Sequence, residues 1–170
     1  MKTRKVRATQ KNIRTSTKKI HTTKKKVVRV LAQGTFDVLH PGHVHYLTYA
    51  KKQGTHLTVI VARDANVKRF KGKRPACNER TRMQMVRALK AVDLAVMGGE
   101  GNILDKVIEL KPHVIVLGYD QPADAKSLET KLKDRGLVCR VIRAPAYRSK
   151  TYKSSLIKRK IVQVFQKTST

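Results

Sequence analysis

Two histidines separated by a proline and a glycine form the segment of this chain best suited to chemistry. They are His40 and His43, and they close the decapeptide GTFDVLHPGH at residues 34–43. The decapeptide follows the apolar run at residues 27–32, which places a glycine turn at the end of a predicted strand and the histidines at the start of a predicted helix. Imidazoles, backbone N–H groups and the positive end of a helix dipole all favour anions. The spacing therefore predicts a site for the phosphates of a nucleoside triphosphate.

Two other phosphate-binding motifs are absent from the chain. There is no GxGxxG fingerprint and no GxxxxGK[ST] loop. Their absence argues against an NAD-binding protein and against a P-loop phosphotransferase.

Short apolar runs alternate with amphipathic segments from residue 27 onward. Strands are predicted at residues 27–33, 57–62, 94–97, 114–117 and 138–142, and helices at residues 42–52, 78–89, 102–110, 125–135 and 154–165. The predicted strands are continuously apolar, which is typical of a parallel sheet buried on both faces. The order predicts an α/β fold: a single Rossmann-like domain at residues 26–170 with a doubly wound, five-stranded parallel sheet.

Punctuating residues support these boundaries. Gly54 and Gly136 are predicted to follow helices at C-terminal cap positions. Asn78 is predicted to cap a helix, and Pro112 to separate a helix from the next strand.

Ligands of open α/β sheets bind beyond the carboxyl ends of the strands. The second strand is followed by a basic segment, residues 68–74, which we interpret as a loop whose Lys71 and Lys73 could hold phosphate. Asp37 in the tight turn is expected to bond loop backbone. For Arg82 on the second predicted helix, contact with substrate and exposure to solvent both remain open.

The charge of the chain, +28, indicates polyanionic partners. Residues 1–29 contain 12 Lys and Arg and no Asp or Glu, and we predict that residues 1–25 form a disordered basic tail capable of non-specific polyanion contact. No apolar run has the length of roughly 18 residues that a membrane span requires, so no membrane association is expected. The two cysteines lack CxxC spacing, which argues against a metal–thiolate site and favours reduced thiols in a cytoplasmic protein.

The decapeptide resembles the GTFD…HxGH motif of the nucleotidyltransferase superfamily, which includes the cytidylyltransferases. Three further stretches are similar to archaeal-type FAD synthetases: VARD at residues 61–64, MVRALK at residues 85–90 and GYDQ at residues 118–121. The resemblance covers about residues 28–160.

This resemblance implies that ATP and FMN are the substrates and that FAD and pyrophosphate are the products. It implies catalytic roles for His40 and His43. It further implies contacts to the nucleotide from Thr35, Phe36, His40, Pro41, Gly42, His43, Asp120 and Tyr147, and to phosphate from Arg148, Ser154 and Ser155. A divalent cation (Mg²⁺, or Mn²⁺ or Co²⁺) is expected, held by nucleotide and water without a protein carboxylate cage. The resemblance also implies a homodimer.

Two alternatives remain open at this point. The chain could be a cytidylyltransferase for glycerol 3-phosphate or another phospho-alcohol. It could also be a basic nucleic-acid-binding protein on an inactive nucleotidyltransferase fold, as the charge of +28 would favour.

Overall fold

A computed structural model describes residues 26–168, so the predicted tail at residues 1–25 lies outside the described residues. The strands are β1 (Arg29–Gly34), β2 (His56–Val61), β3 (Leu94–Met97), β4 (Val114–Leu117) and β5 (Arg140–Arg143). The helices are α1 (Pro41–Lys51), α2 (Asp64–Lys71), α3 (Glu79–Arg87), α4 (Ile103–Leu110), α5 (Ala125–Lys133) and α6 (Ser154–Thr168).

The strands form one parallel sheet in the order β3-β2-β1-β4-β5. The first strand, β1, lies in the centre of the sheet. Strands β2 and β3 follow on one side of it, and the chain then crosses to β4 on the other side of β1. This reversal opens a crevice at the carboxyl ends of β1 and β4, where ligands of doubly wound sheets bind. The predicted fold class and the five-stranded parallel sheet are confirmed.

Both faces of the sheet are buried, which explains the continuous apolar runs. Val30 and Ala32 of β1 join the cluster that includes Leu47 of α1, whereas Leu31 between them joins the cluster that includes Leu132 of α5. Successive side chains of a strand point to opposite faces. A strand with helices on both sides therefore needs apolar residues at every position.

The prediction of a loop after the second strand was wrong, because residues 64–71 form helix α2. Val67 is the only buried side chain of this helix, so an apolar stripe at helical spacing hardly exists in the sequence. Gly72 ends the helix with a left-handed φ of 72°, a conformation that glycine adopts without strain.

Other boundaries differ by at most three residues. Helix α1 begins at Pro41, the first-turn position that suits proline, and β5 begins at Arg140 rather than at 138. The Asn78 cap is confirmed, because its side chain accepts a hydrogen bond from the Thr81 N–H.

Only one of the two glycine cap predictions is right. Gly136 follows α5 with a φ of 80°. Gly54 is not in the left-handed region; it is needed because a Cβ there would lie 2.5 Å from the Val28 carbonyl oxygen. Within residues 26–168, none of the helices combines the length and apolar character needed to cross a bilayer.

Candidate active site

The loop between β1 and α1 is shaped by a buried phenylalanine. Phe36 adopts a φ of 51° and is only 2% exposed. Its ring lies so close to Gly34 that a Cβ at residue 34 would be 2.9 Å away. The same ring packs edge-on against His43, with 5.2 Å between ring centroids. The glycine and phenylalanine of the motif thus set the position of the second histidine.

The two histidine rings stack on each other at the start of α1. Their centroids are 3.8 Å apart and their planes differ by 19°. His40 is the N-cap residue, with an extended backbone and no side-chain cap. A Cβ on Gly42 would lie 3.0 Å from the His40 ring, so glycine at this position lets the ring lie over the helix start. The spacing HxGH therefore has a steric cause.

Burial keeps this pair neutral. Desolvation, with smaller contributions from electrostatic repulsion by His40 and Lys71, lowers the pKa of His43 to about 4. Desolvation also lowers the pKa of His40, although the Asp120 carboxylate opposes that shift. In the described part of the chain, Nδ1 of each ring is buried without a hydrogen-bond partner. Buried polar atoms are normally paired, so the two rings retain hydrogen-bonding capacity for a ligand.

The Arg82 side chain bonds the backbone next to the cavity, and it contacts neither the cavity nor solvent. It is 0% exposed, which excludes both sequence-based alternatives for this residue. Its guanidinium bonds the Thr35 carbonyl, the Ala62 carbonyl at 2.7 Å and the Asp64 carboxylate at 2.6 Å, while its Nε donates to the Cys77 carbonyl at 3.0 Å. One side chain thereby ties together the ends of β1 and β2.

The sequence carried a signal for this buried arginine. Arg82, Val86 and Leu89 follow the i, i+4, i+7 spacing of a core-facing helix stripe, and Val86 is fully buried.

Asp37 bonds loop backbone, as its position in the turn predicted. The carboxylate is 6% exposed and accepts hydrogen bonds from the N–H groups of Ala76, at 2.7 Å, and Cys77, at 3.1 Å. It also pairs with Lys158 of α6. Burial by itself would raise the pKa of Asp37, but these three donors outweigh it and hold the pKa below the usual value. The turn, the segment after α2 and helix α6 are thus joined at one carboxylate.

Basic and hydroxyl groups surround the histidines. Lys71 donates to the Thr35 hydroxyl at 3.0 Å, which brings the end of α2 to the loop between β1 and α1. Ser154 donates to the Val38 carbonyl at 3.2 Å and joins α6 to the same loop. Lys73 and Ser155 line the same cavity.

The β4–α5 loop forms the other side of the cavity. Gln121 and Arg143 hold it through hydrogen bonds to the Gln33 and Gly118 carbonyls, each at 2.8 Å. Asp120 lies 3.9 Å from the Lys153 ammonium.

Aromatic rings continue the wall beyond that loop. Tyr147 stacks on His45, with centroids 4.7 Å apart, so His45 is part of the ring array. The Tyr152 ring is nearly parallel to both the Tyr147 ring, at 6.1 Å between centroids, and the His40 ring, at 6.5 Å. The rings of this array come from segments about 100 residues apart, so no local sequence pattern predicts that they stack.

One cavity of about 520 Å³ joins most of the predicted site residues. Its lining includes Thr35, Phe36, His40, Gly42, His43, Lys71, Lys73, Asp120, Tyr147, Ser154 and Ser155. Two predicted residues are outside it. Pro41 forms the first turn of α1, and the exposed Arg148 lies over the Tyr147 ring at 5.7 Å.

The cavity contains few carboxylates. Asp37 and Asp120 are its acidic lining residues, and the hydrogen bonds of Asp37 are already used. Among residues 26–168 no group of three or more His, Cys, Asp or Glu side chains could hold a metal ion. The donor set does not fit a resident metal centre, but it fits a cation that enters bound to a triphosphate.

Comparison with known proteins places this geometry in context. Residues 31–160 match the family model described as cytidylyltransferase-like. A protein named FAD synthase from Archaeoglobus profundus is 51% identical over 135 residues, which cover 78% of this chain and 86% of the relative. A protein of the same name from Thermoplasma volcanium is 41% identical over 138 residues, covering 81% and 96%.

Solved structures agree on the fold. A Thermoplasma volcanium crystal structure described as a lipopolysaccharide core biosynthesis protein is 43% identical, with a TM-score of 0.69 over 72% of this chain and 99% of that one. Pantoate-beta-alanine ligase from Francisella tularensis superposes with a TM-score of 0.51 at 15% identity over 78% of this chain and 68% of that one, which is a likeness of fold alone.

Proposed function

The chain belongs to the cytidylyltransferase-like family, and we propose that it is an FAD synthetase that transfers the AMP moiety of ATP to FMN and releases pyrophosphate. The observation that carries the proposal is the stacked His40/His43 pair with unpaired nitrogens, set at a helix start beside Lys71. Relatives named FAD synthase, at 41–51% identity over most of the chain, support adenylyl transfer to FMN in particular.

The reaction is an in-line displacement at the α-phosphorus of ATP. An oxygen of the FMN phosphate forms the new P–O bond, the bond from the α-phosphorus to the bridging oxygen breaks, and pyrophosphate leaves with that electron pair. The FMN phosphate is already anionic at neutral pH, so no general base is required. Catalysis then consists of positioning the two phosphates and neutralising developing negative charge.

We assign this work to the residues around the loop between β1 and α1. His40 and His43 donate hydrogen bonds to the triphosphate, and the start of α1 adds its partial positive charge. Lys71 and Lys73 neutralise phosphate oxygens. Ser154 and Ser155 offer further hydrogen bonds, as does Arg148 if its side chain turns toward the ligand.

The nucleoside end of ATP is assigned to the opposite wall of the cavity. There Asp120 accepts from the ribose or the base, and Tyr147 lies against the base. On the histidine side, the backbone at Thr35 and Phe36 lines the nucleotide. Pro41 and Gly42 contribute through the shape of the first turn of α1.

A divalent cation, Mg²⁺ or alternatively Mn²⁺ or Co²⁺, is part of the nucleotide substrate in this proposal. It neutralises the triphosphate and is held by phosphate oxygens and water, as is common for Mg²⁺. Asp120 is the lining carboxylate that could reach its hydration shell.

The proposal extends to assembly and location. We propose a homodimer, as the superfamily resemblance implies, with the exposed Ile161 and Val162 of α6 available for an interface. Light scattering would then give twice the chain mass of 19.3 kDa. Because ATP and FMN are intracellular nucleotides, the proposed location is the cytoplasm.

The decisive experiment is a coupled assay of purified protein with each pairing of ATP or CTP and FMN or glycerol 3-phosphate. FAD and pyrophosphate are expected from ATP with FMN. Turnover of CTP with glycerol 3-phosphate, without FAD formation, would instead identify the alternative cytidylyltransferase.

A further inference from the structure

The cavity continues past the histidines toward β2 and β3, where its character changes. Helix α2 contributes Val67 and Phe70 to this part, and the start of α4 contributes Ile103. Together with Gly98 and Gly99 after β3, these residues form what we call the apolar lobe. Neither the motif nor the phosphate chemistry accounts for it.

Two side chains of the apolar lobe are exposed although they are large and apolar. Phe70 is 65% exposed and Ile103 is 41% exposed. Scattered apolar residues on a convex surface need no explanation, but these two side chains line a concave site. Such a lining is typical of a pocket that buries an apolar ring.

The lobe is preformed rather than loose. Asn66 of α2 donates through its Nδ2 to the Gly99 carbonyl at 3.0 Å, which ties α2 to the segment before α4. The Arg69 guanidinium lies 4.7 Å from the centroid of the Phe70 ring, a cation–π contact that restricts the ring.

Positive charge lies on the histidine side of the lobe. Lys71 directly follows Phe70 in α2 and reaches the Thr35 hydroxyl, and its charge acts on His43. A ligand in the lobe would therefore meet an apolar wall at one end and phosphate-binding groups at the other.

We propose that the apolar lobe is the flavin subsite, in which the isoalloxazine ring of FMN stacks on Phe70 and its phosphate points to Lys71 and Thr35. This inference depends on the proposed function for the identity of the acceptor. FMN matches the lobe because it has a flat, largely apolar three-ring system at one end and a phosphate at the other. Adenine fits less well, because it must pair its polar edge and the lobe offers apolar side chains.

The assignment also explains selection of the acceptor. Glycerol 3-phosphate has no ring and would leave Phe70 and Ile103 exposed. Binding of FMN covers both side chains, so burial of the flavin ring favours FMN over a phosphorylated acceptor that has no ring.

Phe70→Ala and Phe70→Tyr test the inference, with Phe165→Ala as a control at another exposed phenylalanine that lies outside this cavity. Phe70→Ala should raise the KM for FMN and its Kd by about 5- to 100-fold, the range for loss of one aromatic stacking partner. The KM for ATP should stay within about twofold, because in this assignment ATP does not stack on Phe70. Phe70→Tyr should retain FMN affinity, because tyrosine keeps an aromatic ring for stacking. Ile103→Ala, measured the same way, gives a second and smaller effect on FMN.

The outcomes separate this inference from the proposed function because FMN binding is measured by calorimetry without turnover. Wild-type FMN affinity in both Phe70→Ala and Ile103→Ala would overturn the flavin subsite, as would a raised KM for ATP alone. If the wild-type protein forms no FAD but binds FMN in a Phe70-dependent way, the subsite stands and the proposed reaction fails. If it forms FAD and both Phe70→Ala and Ile103→Ala keep wild-type FMN affinity, the reaction stands and the subsite fails.

Discussion

At the scale of single residues, the proposed reaction depends on two histidines that act as neutral hydrogen-bond donors. Burial lowers the pKa of both rings. At neutral pH the two rings are therefore uncharged and do not repel each other, although their centroids are only 3.8 Å apart. Neutral donors stabilise developing charge on a phosphate oxygen without first binding it too tightly, which is the difference between transition-state and ground-state binding.

Replacing either histidine should therefore affect turnover more than binding. His40→Ala and His43→Ala are each expected to lower kcat by about 100-fold or more, the range for a lost transition-state donor. Steady-state assays with saturating ATP and FMN measure this. Wild-type kcat in either variant would contradict the role assigned to that ring.

The depressed pKa of His43 also predicts how stability depends on pH. In the unfolded chain a histidine takes up a proton near pH 6.5, whereas in the folded protein His43 does so only near pH 4. The unfolded state therefore binds more protons in that window, and the free energy of unfolding should fall as the pH falls from about 6.5 toward 4, by at most about 1.4 kcal/mol per pH unit. Urea titrations of the ligand-free protein at pH 7 and pH 5 measure the slope. His43→Gln should flatten it, and an equal slope in both proteins would contradict the buried, neutral histidine.

Arg82 predicts a structural effect with a functional consequence. Arg82→Met removes the donor of three backbone carbonyls and the ion-pair partner of the Asp64 carboxylate, so we expect a loss of about 3 kcal/mol or more in the free energy of unfolding. Arg80→Met on the same helix is the control, because Arg80 is exposed and should change stability by no more than about 0.5 kcal/mol. Similar unfolding midpoints for the two variants would show that the buried network contributes little.

At the scale of elements, helix α1 positions the site through its first turn. Pro41 begins the helix, and the absence of a side chain at Gly42 leaves room for the His40 ring. The loop between β1 and α1 is bonded to its neighbours: Asp37 bonds the segment after α2 and helix α6, and Arg82 of α3 bonds Thr35 and the end of β2. Three separate parts of the chain therefore hold this loop in place.

Gly42→Ala separates this positioning from stability. The new Cβ would lie 3.0 Å from the His40 ring and 3.4 Å from the Tyr152 carbonyl oxygen, so the ring must shift by a few tenths of an ångström. We expect kcat to fall by about 10-fold, since misplacement of a catalytic group by about 1 Å can cost about 100-fold. The melting temperature should not fall, because alanine is the better helix former. Gly101→Ala, where a Cβ would meet nothing within 4 Å, should leave both quantities unchanged.

At the scale of the whole molecule, the charge exceeds what the site requires. The net charge is +28, and residues 1–25 supply much of it without a single acidic residue. Such a segment attracts polyanions through counterion release, which is sensitive to salt and not to sequence. The nucleic-acid-binding alternative is thus compatible with the tail, while the cavity and its histidines belong to the domain.

Deleting residues 1–25 should separate the two properties. We expect the truncated protein to lose salt-sensitive binding to single-stranded RNA, measured by fluorescence anisotropy between 50 and 200 mM salt, and to keep its kcat for FAD formation. Loss of turnover at ordinary salt would contradict a dispensable tail. Retention of RNA binding would assign that property to the basic surface of the domain.

The sequence by itself determined the fold class and the edge of the sheet where the site lies. Continuous apolar strands require a sheet covered on both faces, and the spacing of His40 and His43 after a strand requires a turn into a helix. These are local patterns, so they are visible in a single sequence. The steric need for glycine at residue 42 is local as well, because Gly42 and His40 are only two residues apart.

Only the tertiary structure decided what supports and completes the site. Arg82 bonds Thr35 across 47 residues, and Asp37 pairs with Lys158 across 121. Phe70 lies on helix α2, which has too few apolar residues to be predicted from the sequence. Only the tertiary structure shows that α2 and α4 line the same part of the cavity. Contacts between residues far apart in the chain depend on how the helices pack on the sheet, and no local pattern of residue types records that packing.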